Sequence, residues 1–196
     1  IDRSSSMLSQ DAGGSTRFDV CRESMARVFE GHVQDQDQIA LYTFETRVRV
    51  AFPLTPKGPN RERLAAAIRD LQAPHGLTRL YDGMLECLQR LQKAGPGPKY
   101  LVTLTDGDDN QSTEQPNGEH ITALLRGAVQ DVNLIFITCG RELKPRTLEL
   151  IKYWTQLAQH SGQVGVHLAA NDPARLRDAF AAAAELMDET EGETEV

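Results

Sequence analysis

A regular alternation of buried-strand and amphipathic-helix patterns is the feature that most constrains the fold of this chain. Apolar runs at 38–44, 100–105 and 133–138 have the length and composition of buried strands, and segments with helical periodicity separate them. Strands that alternate with helices form a mostly parallel sheet covered by helices on both faces. The pattern therefore predicts a three-layer α/β fold, a Rossmann-like doubly wound sheet.

Weaker patterns complete this arrangement. Residues 48–54 alternate in polarity and end at a proline, which is typical of an antiparallel edge strand. Residues 165–169 are predicted to be a last strand, and Asn60 is predicted to cap the second helix. The predicted helices cover residues 16–30, 60–71, 80–93, 119–129, 146–160 and 173–187.

Length and composition fit one domain. The chain has 196 residues, of which 40% are hydrophobic and 25% charged, and this is enough to bury one sizeable core. Residues 1–187 are predicted to form that domain. Residues 188–196 are acidic and poor in apolar side chains, so they are predicted to be a disordered tail.

The balance of charge and hydropathy argues against two kinds of partner. The net charge is −7 and no basic run offsets it, which argues against binding to nucleic acid or to an anionic membrane. No apolar stretch approaches the about 18 residues that cross a bilayer, and no signal peptide is visible at the start of the sequence. We therefore expect no membrane insertion.

The three cysteines indicate a reducing compartment. Cys21, Cys87 and Cys139 are widely spaced and odd in number, and none belongs to a C-x-x-C pair or a Cys/His cluster. This usage fits thiols that act as small, buried, apolar side chains. We therefore expect a cytoplasmic or other intracellular protein, or an extracellular one if a signal peptide lies upstream.

Oxygen-bearing side chains occur at the ends of predicted strands and in a loop before a predicted helix. Asp2, Ser4 and Ser6 form a D-x-S-x-S triplet, Thr78 lies in the segment HGLTRLYDG, and Asp106 directly follows a buried strand. Ligands of doubly wound sheets bind outside the carboxyl ends of the strands, where these three pieces meet. Each piece alone is a weak signal, because a helix cap or an Asp-Gly turn explains it equally well. All three in order favour one joint site.

The chemistry of these side chains favours a divalent cation. Two carboxylates and three hydroxyls are hard oxygen ligands, which suit Mg²⁺, Mn²⁺ or Ca²⁺ better than zinc or copper. Because hydroxyls are neutral, a bound dication stays electron-poor and keeps an exchangeable water. A carboxylate of another protein can replace that water. The compact, hydroxyl-rich set favours Mg²⁺ or Mn²⁺ over Ca²⁺.

The three motif pieces together resemble the metal-ion-dependent adhesion site of von Willebrand factor type A domains, and the resemblance runs over essentially the whole chain. It implies that Ser4, Ser6 and Thr78 supply hydroxyls directly to the metal. It also implies that Asp2 and Asp106 act directly or through water. The expected function is a divalent-metal-dependent protein-binding module, whose partner presents an Asp or Glu carboxylate.

One part of the family's pattern is missing from this sequence. In the family, a short apolar run ahead of the first aspartate forms the central strand, and only Ile1 stands there in this chain. A sheet without its middle strand exposes apolar side chains on both neighbouring strands. Either the natural chain begins upstream of Ile1, which we expect, or another segment fills the gap.

Other polar and aromatic residues have simpler interpretations. The loop at 108–110 is predicted to be solvated, although its two aspartates also suit a second cation or the rim of the site. His75 is a candidate base, but a loop histidine without a role is the simpler interpretation. The remaining predictions are a flexible loop and helix cap at 13–16, core positions for Tyr153 and Trp154, and a helix-dipole role for Asp82.

Two other functions stay open at this level. A metal-dependent hydrolase uses the same cation as a Lewis acid, but it also needs a positioned base or nucleophile and a pocket. A scaffold subunit of a larger assembly keeps the fold with a structural or vestigial metal site, since one fold hosts many tasks. We expect a non-enzymatic binding module. The identity of the partner, the pathway and the oligomeric state are not encoded in any motif of the sequence.

Overall fold

The fold consists of a central sheet between two layers of helices. A computed structural model describes residues 1–10, 14–72, 76–113, 117–140 and 143–192. Within these ranges, none of the helices combines the length and the apolarity needed to cross a membrane. The strands are β1 (Gln38–Phe44), β2 (Val48–Pro56), β3 (Lys99–Thr105), β4 (Val132–Cys139) and β5 (Gly165–Ala170). The helices are α1 (Arg17–Gly31), α2 (Arg61–Arg69), α3 (Leu80–Leu91), α4 (Glu119–Arg126), α5 (Pro145–His160) and α6 (Pro173–Gly192).

The strands and helices predicted from periodicity are present, and the differences lie at their ends. Helix α4 ends at Arg126, earlier than predicted, because the glycine that follows is a poor helix former. The predicted cap of α2 is wrong. Asn60 precedes that helix, but its amide donates to the Pro56 carbonyl at 2.9 Å and its oxygen accepts from Arg63 at 3.0 Å.

Residues 1–3 join two groups of strands into one sheet. Strands β1 and β2 pair antiparallel, whereas β3, β4 and β5 pair parallel in that order. On one side the Phe44 N–H donates to Ile1 O at 3.0 Å and the Arg3 N–H donates to Phe44 O at 2.8 Å. On the other side the Asp2 N–H donates to Leu104 O at 2.9 Å. The result is the predicted doubly wound, mostly parallel sheet with β2 as an antiparallel edge strand.

The core alternates across the two faces of strand β4, whose residues are all buried. Leu134 and Phe136 pack with α3, α4 and α5, while Ile135 and Ile137 pack with α1 and α6. Burying side chains of this size contributes about 1.5–3 kcal/mol each, so β4 anchors both helical layers. Trp154 is fully buried against Phe136, as predicted. The other predicted core aromatic, Tyr153, and one of the three thiols, that of Cys87, are only partly buried; the thiols of Cys21 and Cys139 are buried.

Helix α6 extends further than its apolar pattern predicts. It continues to Gly192, so residues 188–192, predicted to be disordered, are helical. The Tyr100 hydroxyl donates to Met187 O at 3.3 Å, and His32 Nδ1 lies 2.8 Å from Asp188 Oδ2. These contacts hold the end of the helix against β3 and the end of α1. An apolar pattern in the sequence does not predict such contacts. Residues 193–196 lie outside the described residues.

Candidate metal centre

The carboxyl ends of the segment 1–3 and of β3 bring four of the five candidate side chains into one polar cluster. Ser4 Oγ and Ser6 Oγ lie 2.9 Å apart. The Ser6 hydroxyl donates to Asp106 Oδ1 at 2.6 Å, and Ser4 Oγ lies 3.4 Å from the same oxygen. Asp2 joins them because its Oδ1 accepts from the Ser4 N–H at 2.7 Å. Parts of the chain that are far apart in sequence thus form a single group of oxygens.

The fifth candidate, Thr78, lies beside this cluster across Gly107. A Cβ on Gly107 would stand 3.9 Å from Thr78 Oγ1 and 4.0 Å from Ser6 Oγ. The two hydroxyls therefore border the same small space next to the Gly107 backbone. Thr78 is 3% exposed, so the loop before α3 delivers its hydroxyl to a buried position.

Asp2 organises the cluster from beneath. It is fully buried, and its Oδ2 accepts from the Thr105 hydroxyl at 2.6 Å. Burial raises the pKa of the Asp2 carboxyl because the charged form loses its hydration. Hydrogen bonds from Thr105 and Ser4 oppose this pKa shift, and the charge of Asp106 adds to it. Both oxygens of Asp2 are held by protein donors, so this carboxylate fixes the motif segment against β3.

The cluster faces solvent on one side only. Ser4 and Asp106 are buried, whereas Ser6 is exposed. A cation reaching these oxygens therefore approaches past Ser6. That is also the side from which an outside ligand reaches the cation.

Ser5, which lies between the two serines of the motif, joins two of the motif pieces. Its hydroxyl donates to Gly76 O at 3.2 Å and accepts from the Gly76 N–H at 3.1 Å. Gly76 has φ +93°, and a Cβ there would stand 2.3 Å from Thr46 Oγ1. Only glycine fits this conformation and this space. The sequence signal for Ser5 is weak, because the motif leaves that position unspecified.

The loop after Asp106 is solvated only in part: Asn110 is exposed as predicted, whereas Asp108 is partly buried and Asp109 is buried. Asp108 accepts from the Lys144 N–H at 2.9 Å and from the Thr147 hydroxyl at 2.6 Å. Asp109 is 8% exposed and accepts from the Ser112 N–H at 3.0 Å and from the Ser112 hydroxyl. Both carboxylates are occupied by protein donors, so the loop is pinned to its neighbours.

This loop also supplies the N-terminal cap of α3. The residue at the cap position is Arg79, which makes no side-chain cap of its own, so Thr78 does not cap this helix. Instead the Tyr81 N–H donates to Asp109 Oδ2 at 2.8 Å and the Asp82 N–H donates to Ser112 Oγ at 3.0 Å. The free N–H groups of a helix start are thus satisfied from another loop. Asp82 itself keeps its predicted place in the first turn and pairs with Arg79 at 2.8 Å.

One guanidinium contacts the cluster, although sequence reasoning did not single it out. Arg17 Nη1 donates to Asp106 Oδ2 at 3.0 Å. Arg17 is the first residue of α1, directly after Thr16, which forms a capping box with Asp19. The predicted helix cap in the segment 13–16 is therefore confirmed. Gly13 and His75, the candidate base, lie outside the described residues.

The donor set fits a hard divalent cation. Within the described ranges, no three His, Cys, Asp or Glu side chains group closely enough to hold a metal. The cluster differs from such a site because hydroxyls outnumber carboxylates. Hydroxyl and carboxylate oxygens are what Mg²⁺, Mn²⁺ and Ca²⁺ take in proteins.

Sequence comparison places the chain in a family. A profile of the von Willebrand factor type A domain matches residues 1–108, more than half of the chain. The chain belongs to the von Willebrand factor type A family. The matched range of this type A domain contains all five candidate residues, Asp2, Ser4, Ser6, Thr78 and Asp106. No curated protein matches the chain significantly.

Solved structures support the type A fold. A von Willebrand factor type A protein from Catenulispora acidiphila aligns with TM-score 0.71 at 23% identity, over 95% of this chain and 41% of that one. Proximal thread matrix protein 1 from the mussel byssus, with a zinc-occupied adhesion-site motif, aligns with TM-score 0.68 at 18% identity, over 95% and 46%. The SpRpn10 type A domain aligns with TM-score 0.68 at 18% identity, over 93% and 91%.

These likenesses establish the fold of the type A domain and not its ligand. The identities lie at 23% and 18%. The chain spans less than half of the Catenulispora and mussel proteins, at 41% and 46% of their length. The predicted fold class and family are confirmed.

Proposed function

We propose that this type A domain is a divalent-metal-dependent protein-binding module. The single observation that carries the proposal is the meeting of Ser4, Ser6 and Asp106 within hydrogen-bond distance at the solvent-facing edge of the sheet. Ser4, Ser6 and Thr78 would hold Mg²⁺ or Mn²⁺ through their hydroxyls. Asp2 and Asp106 would act directly or through water. When bound, the cation supplies an electrophilic position for an outside carboxylate.

The residues around the site attract a cation and leave it accessible from one side. Asp2 and Asp106 are buried carboxylates, which create a negative potential at the end of the sheet. Ser6 lies at the exposed side, so an acidic side chain of a protein partner has access there. A carboxylate is the expected anchor because an Asp or Glu oxygen is both a hard ligand and a negative charge.

The cation is proposed to be Mg²⁺ or Mn²⁺, with Ca²⁺ as a weaker fit. The mussel protein carries zinc at its adhesion-site motif, so zinc belongs in the test. Zinc usually takes nitrogen and sulfur ligands in tetrahedral sites, and the five candidates here are all oxygen ligands. All three cations would use the same oxygen atoms, so we expect Mg²⁺ and Mn²⁺ to compete with zinc for one site.

Calorimetric titration tests the metal site. Mg²⁺ and Mn²⁺ should each bind the parent saturably, and binding should weaken by about tenfold or more in Ser4→Ala/Ser6→Ala. Ser9→Ala is the matched control, because it removes an exposed hydroxyl from the same segment. Circular dichroism checks that all variants are folded. Equal binding by the parent and the double variant, or no binding by a folded parent, would contradict the proposal.

Water-proton relaxation of the Mn²⁺ form tests the open coordination position. A bound Mn²⁺ that keeps an exchangeable water enhances the relaxation of bulk water. With enough protein to bind all of the Mn²⁺, adding acetate as the simplest carboxylate should lower that enhancement, since acetate displaces the water. Chloride at the same ionic strength is the control and should leave it unchanged. An enhancement that acetate does not alter would argue for a structural metal in a scaffold subunit.

The proposal is one of binding and not of catalysis. A hydrolase would release p-nitrophenol from p-nitrophenyl phosphate or acetate in the presence of Mg²⁺ or Mn²⁺. We expect no release above the rate with cation alone. Turnover that Ser4→Ala/Ser6→Ala abolishes would overturn this part of the proposal.

A further inference from the structure

The guanidinium of Arg17 is built into the candidate metal centre. Besides its hydrogen bond to Asp106, it lies directly over Gly140, the residue after β4. A Cβ on Gly140 would stand 2.3 Å from Arg17 Cζ, so the guanidinium occupies the space that a side chain at that position would take. Gly140 has φ +86°, and its N–H donates to Ala170 O at 3.0 Å. The loop is therefore held in a shape that seats the guanidinium.

The backbone of Arg17 is also fixed relative to the motif segment. Its N–H donates to Ser9 O at 3.1 Å, three residues beyond Ser6. The capping box of Thr16 and Asp19 sets the start of α1 directly before it. Backbone and side chain are thus held independently, which places one permanent positive charge against Asp106.

The charges around the site then decide what it binds. Two buried carboxylates, Asp2 and Asp106, and one guanidinium leave a single net negative charge among these three groups. A dication turns this into a net positive charge, which is unfavourable in a partly buried site. A carboxylate from outside restores neutrality. With a neutral residue at position 17, the dication alone would balance the two carboxylates.

We infer that Arg17 couples cation binding to carboxylate binding: it weakens the site for a divalent cation alone and favours the cation together with an outside carboxylate. The inference rests on the proposed function, because it concerns the same site. It makes Arg17 the residue that prevents the cation from loading firmly without a partner. By linkage, the cation and the carboxylate then strengthen each other's binding by the same factor.

Calorimetric titration with Mg²⁺, in acetate and in chloride at equal ionic strength, measures this coupling. Arg17→Gln removes the charge and keeps a hydrogen-bond donor, and Arg17→Met removes the charge and keeps a long, unbranched side chain. In chloride both variants should bind Mg²⁺ about tenfold more tightly than the parent. Acetate should tighten Mg²⁺ binding in the parent and much less in the variants. Arg17→Lys retains the charge and should resemble the parent.

The outcomes separate this inference from the proposed function. Parent and variants that bind Mg²⁺ equally well, with the same response to acetate, would overturn the role of Arg17 and leave the metal site standing. Weaker binding by Arg17→Gln and Arg17→Met would also overturn it, since Arg17 would then support the cation. Absence of binding from every folded protein would remove the proposed function and this inference together.

A measurement without metal gives an independent readout. Asp106 is buried, so removing its guanidinium partner should lower the thermal midpoint of metal-free Arg17→Gln relative to the parent. Mg²⁺ should then raise the midpoint of Arg17→Gln more than that of the parent. An equal rise in both proteins would contradict the inference.

Discussion

The side-chain oxygen of Asn110 accepts a hydrogen bond of 2.9 Å from the backbone N–H of Thr78. In return, the backbone N–H groups of Asn110 and Gln111 donate to Thr78 O at 3.1 and 3.2 Å. The loop that begins at Asp106 therefore grips the loop that carries Thr78. Two motif pieces are positioned as one unit, and their alignment can be tested without changing a candidate ligand.

Asn110→Ala should weaken Mg²⁺ or Mn²⁺ binding several-fold, because Thr78 loses a hydrogen bond that fixes its backbone. Substitution of residues that support metal ligands typically lowers metal affinity about 10- to 100-fold. The free energy of unfolding should fall by only about 1 kcal/mol. Calorimetry and denaturant unfolding measure the two quantities. Gln111→Ala is the matched control, since that residue is exposed and contacts Thr78 through its backbone. Equal cation affinity in both variants would contradict this role of Asn110.

Asp109→Ala should lower the free energy of unfolding by about 1–3 kcal/mol, because it leaves buried donors at the start of α3 without a partner. The affected donors include the Tyr81 N–H at the start of α3 and, in the loop itself, the N–H and the hydroxyl of Ser112. Urea denaturation measures the change. Asp131→Ala is the control, because Asp131 makes an exposed ion pair with Lys99 worth about 0–1 kcal/mol. A loss no larger than that of the control would show that the capping by Asp109 does not stabilise the fold.

Gly76→Ala should be more destabilising than the same substitution at another glycine with a positive φ. At Gly76, with φ +93°, a Cβ meets Thr46 Oγ1 at 2.3 Å. At Gly14, with φ +81°, a Cβ meets no atom within 4 Å. Gly14→Ala therefore measures the backbone strain alone, about 1–2 kcal/mol.

The excess in Gly76→Ala reports the displacement of Thr46 and of the contact between Gly76 and Ser5. Thermal and urea unfolding compare the two glycine variants. Cation affinity should also fall in Gly76→Ala and stay unchanged in Gly14→Ala. Equal destabilisation in both variants would mean that the loop before Thr78 accommodates the added Cβ with no further loss of stability.

His167 should make stability depend on pH. Burial, together with the charge of Lys152, lowers the pKa of His167 below its ordinary value. Between that lowered pKa and about 6.5, the unfolded chain binds more protons than the folded chain. The contribution of His167 to stability is therefore complete above the unfolded pKa and is lost as the pH falls through the folded pKa.

His167→Gln removes this titration while keeping a polar side chain opposite the hydroxyl of Thr138, whose Oγ lies 2.8 Å from Nε2. The free energy of unfolding of the parent, relative to this variant, should decline as the pH falls below about 6.5. Urea unfolding over a pH series measures the difference, and His160→Gln, at an exposed histidine, is the control. A difference that is constant with pH would contradict the burial argument.

The fold was predictable because periodicity records which side chains face the core. β1 has its predicted bounds, and β4 extends its predicted run by one residue at each end. The ends of α6 and α2 were not predictable in this way. The end of α6 depends on contacts with His32 and Tyr100, and Asn60 takes partners other than the helix start.

The candidate site, like the fold, was predictable from the sequence only in part. The five oxygen-bearing residues were recognisable because motif spacing and strand ends place them at one edge of the sheet. The two aspartates of the loop at 108–110 were misjudged because acidic loop residues usually face water, whereas here they satisfy the starts of α3 and α5. Nothing local in the sequence distinguishes the two cases.

The sequence by itself determined the order of strands and helices, the family, and the identity of the oxygen-bearing side chains at the sheet edge. The tertiary structure alone decided that Arg17 lies against Asp106, 89 residues away, and that Ser5 pairs with Gly76, 71 residues away. Periodicity and motif spacing are local properties, which the chain carries before it folds. Contacts between distant residues depend on how packed elements bring side chains together, and so they exist only in the folded protein.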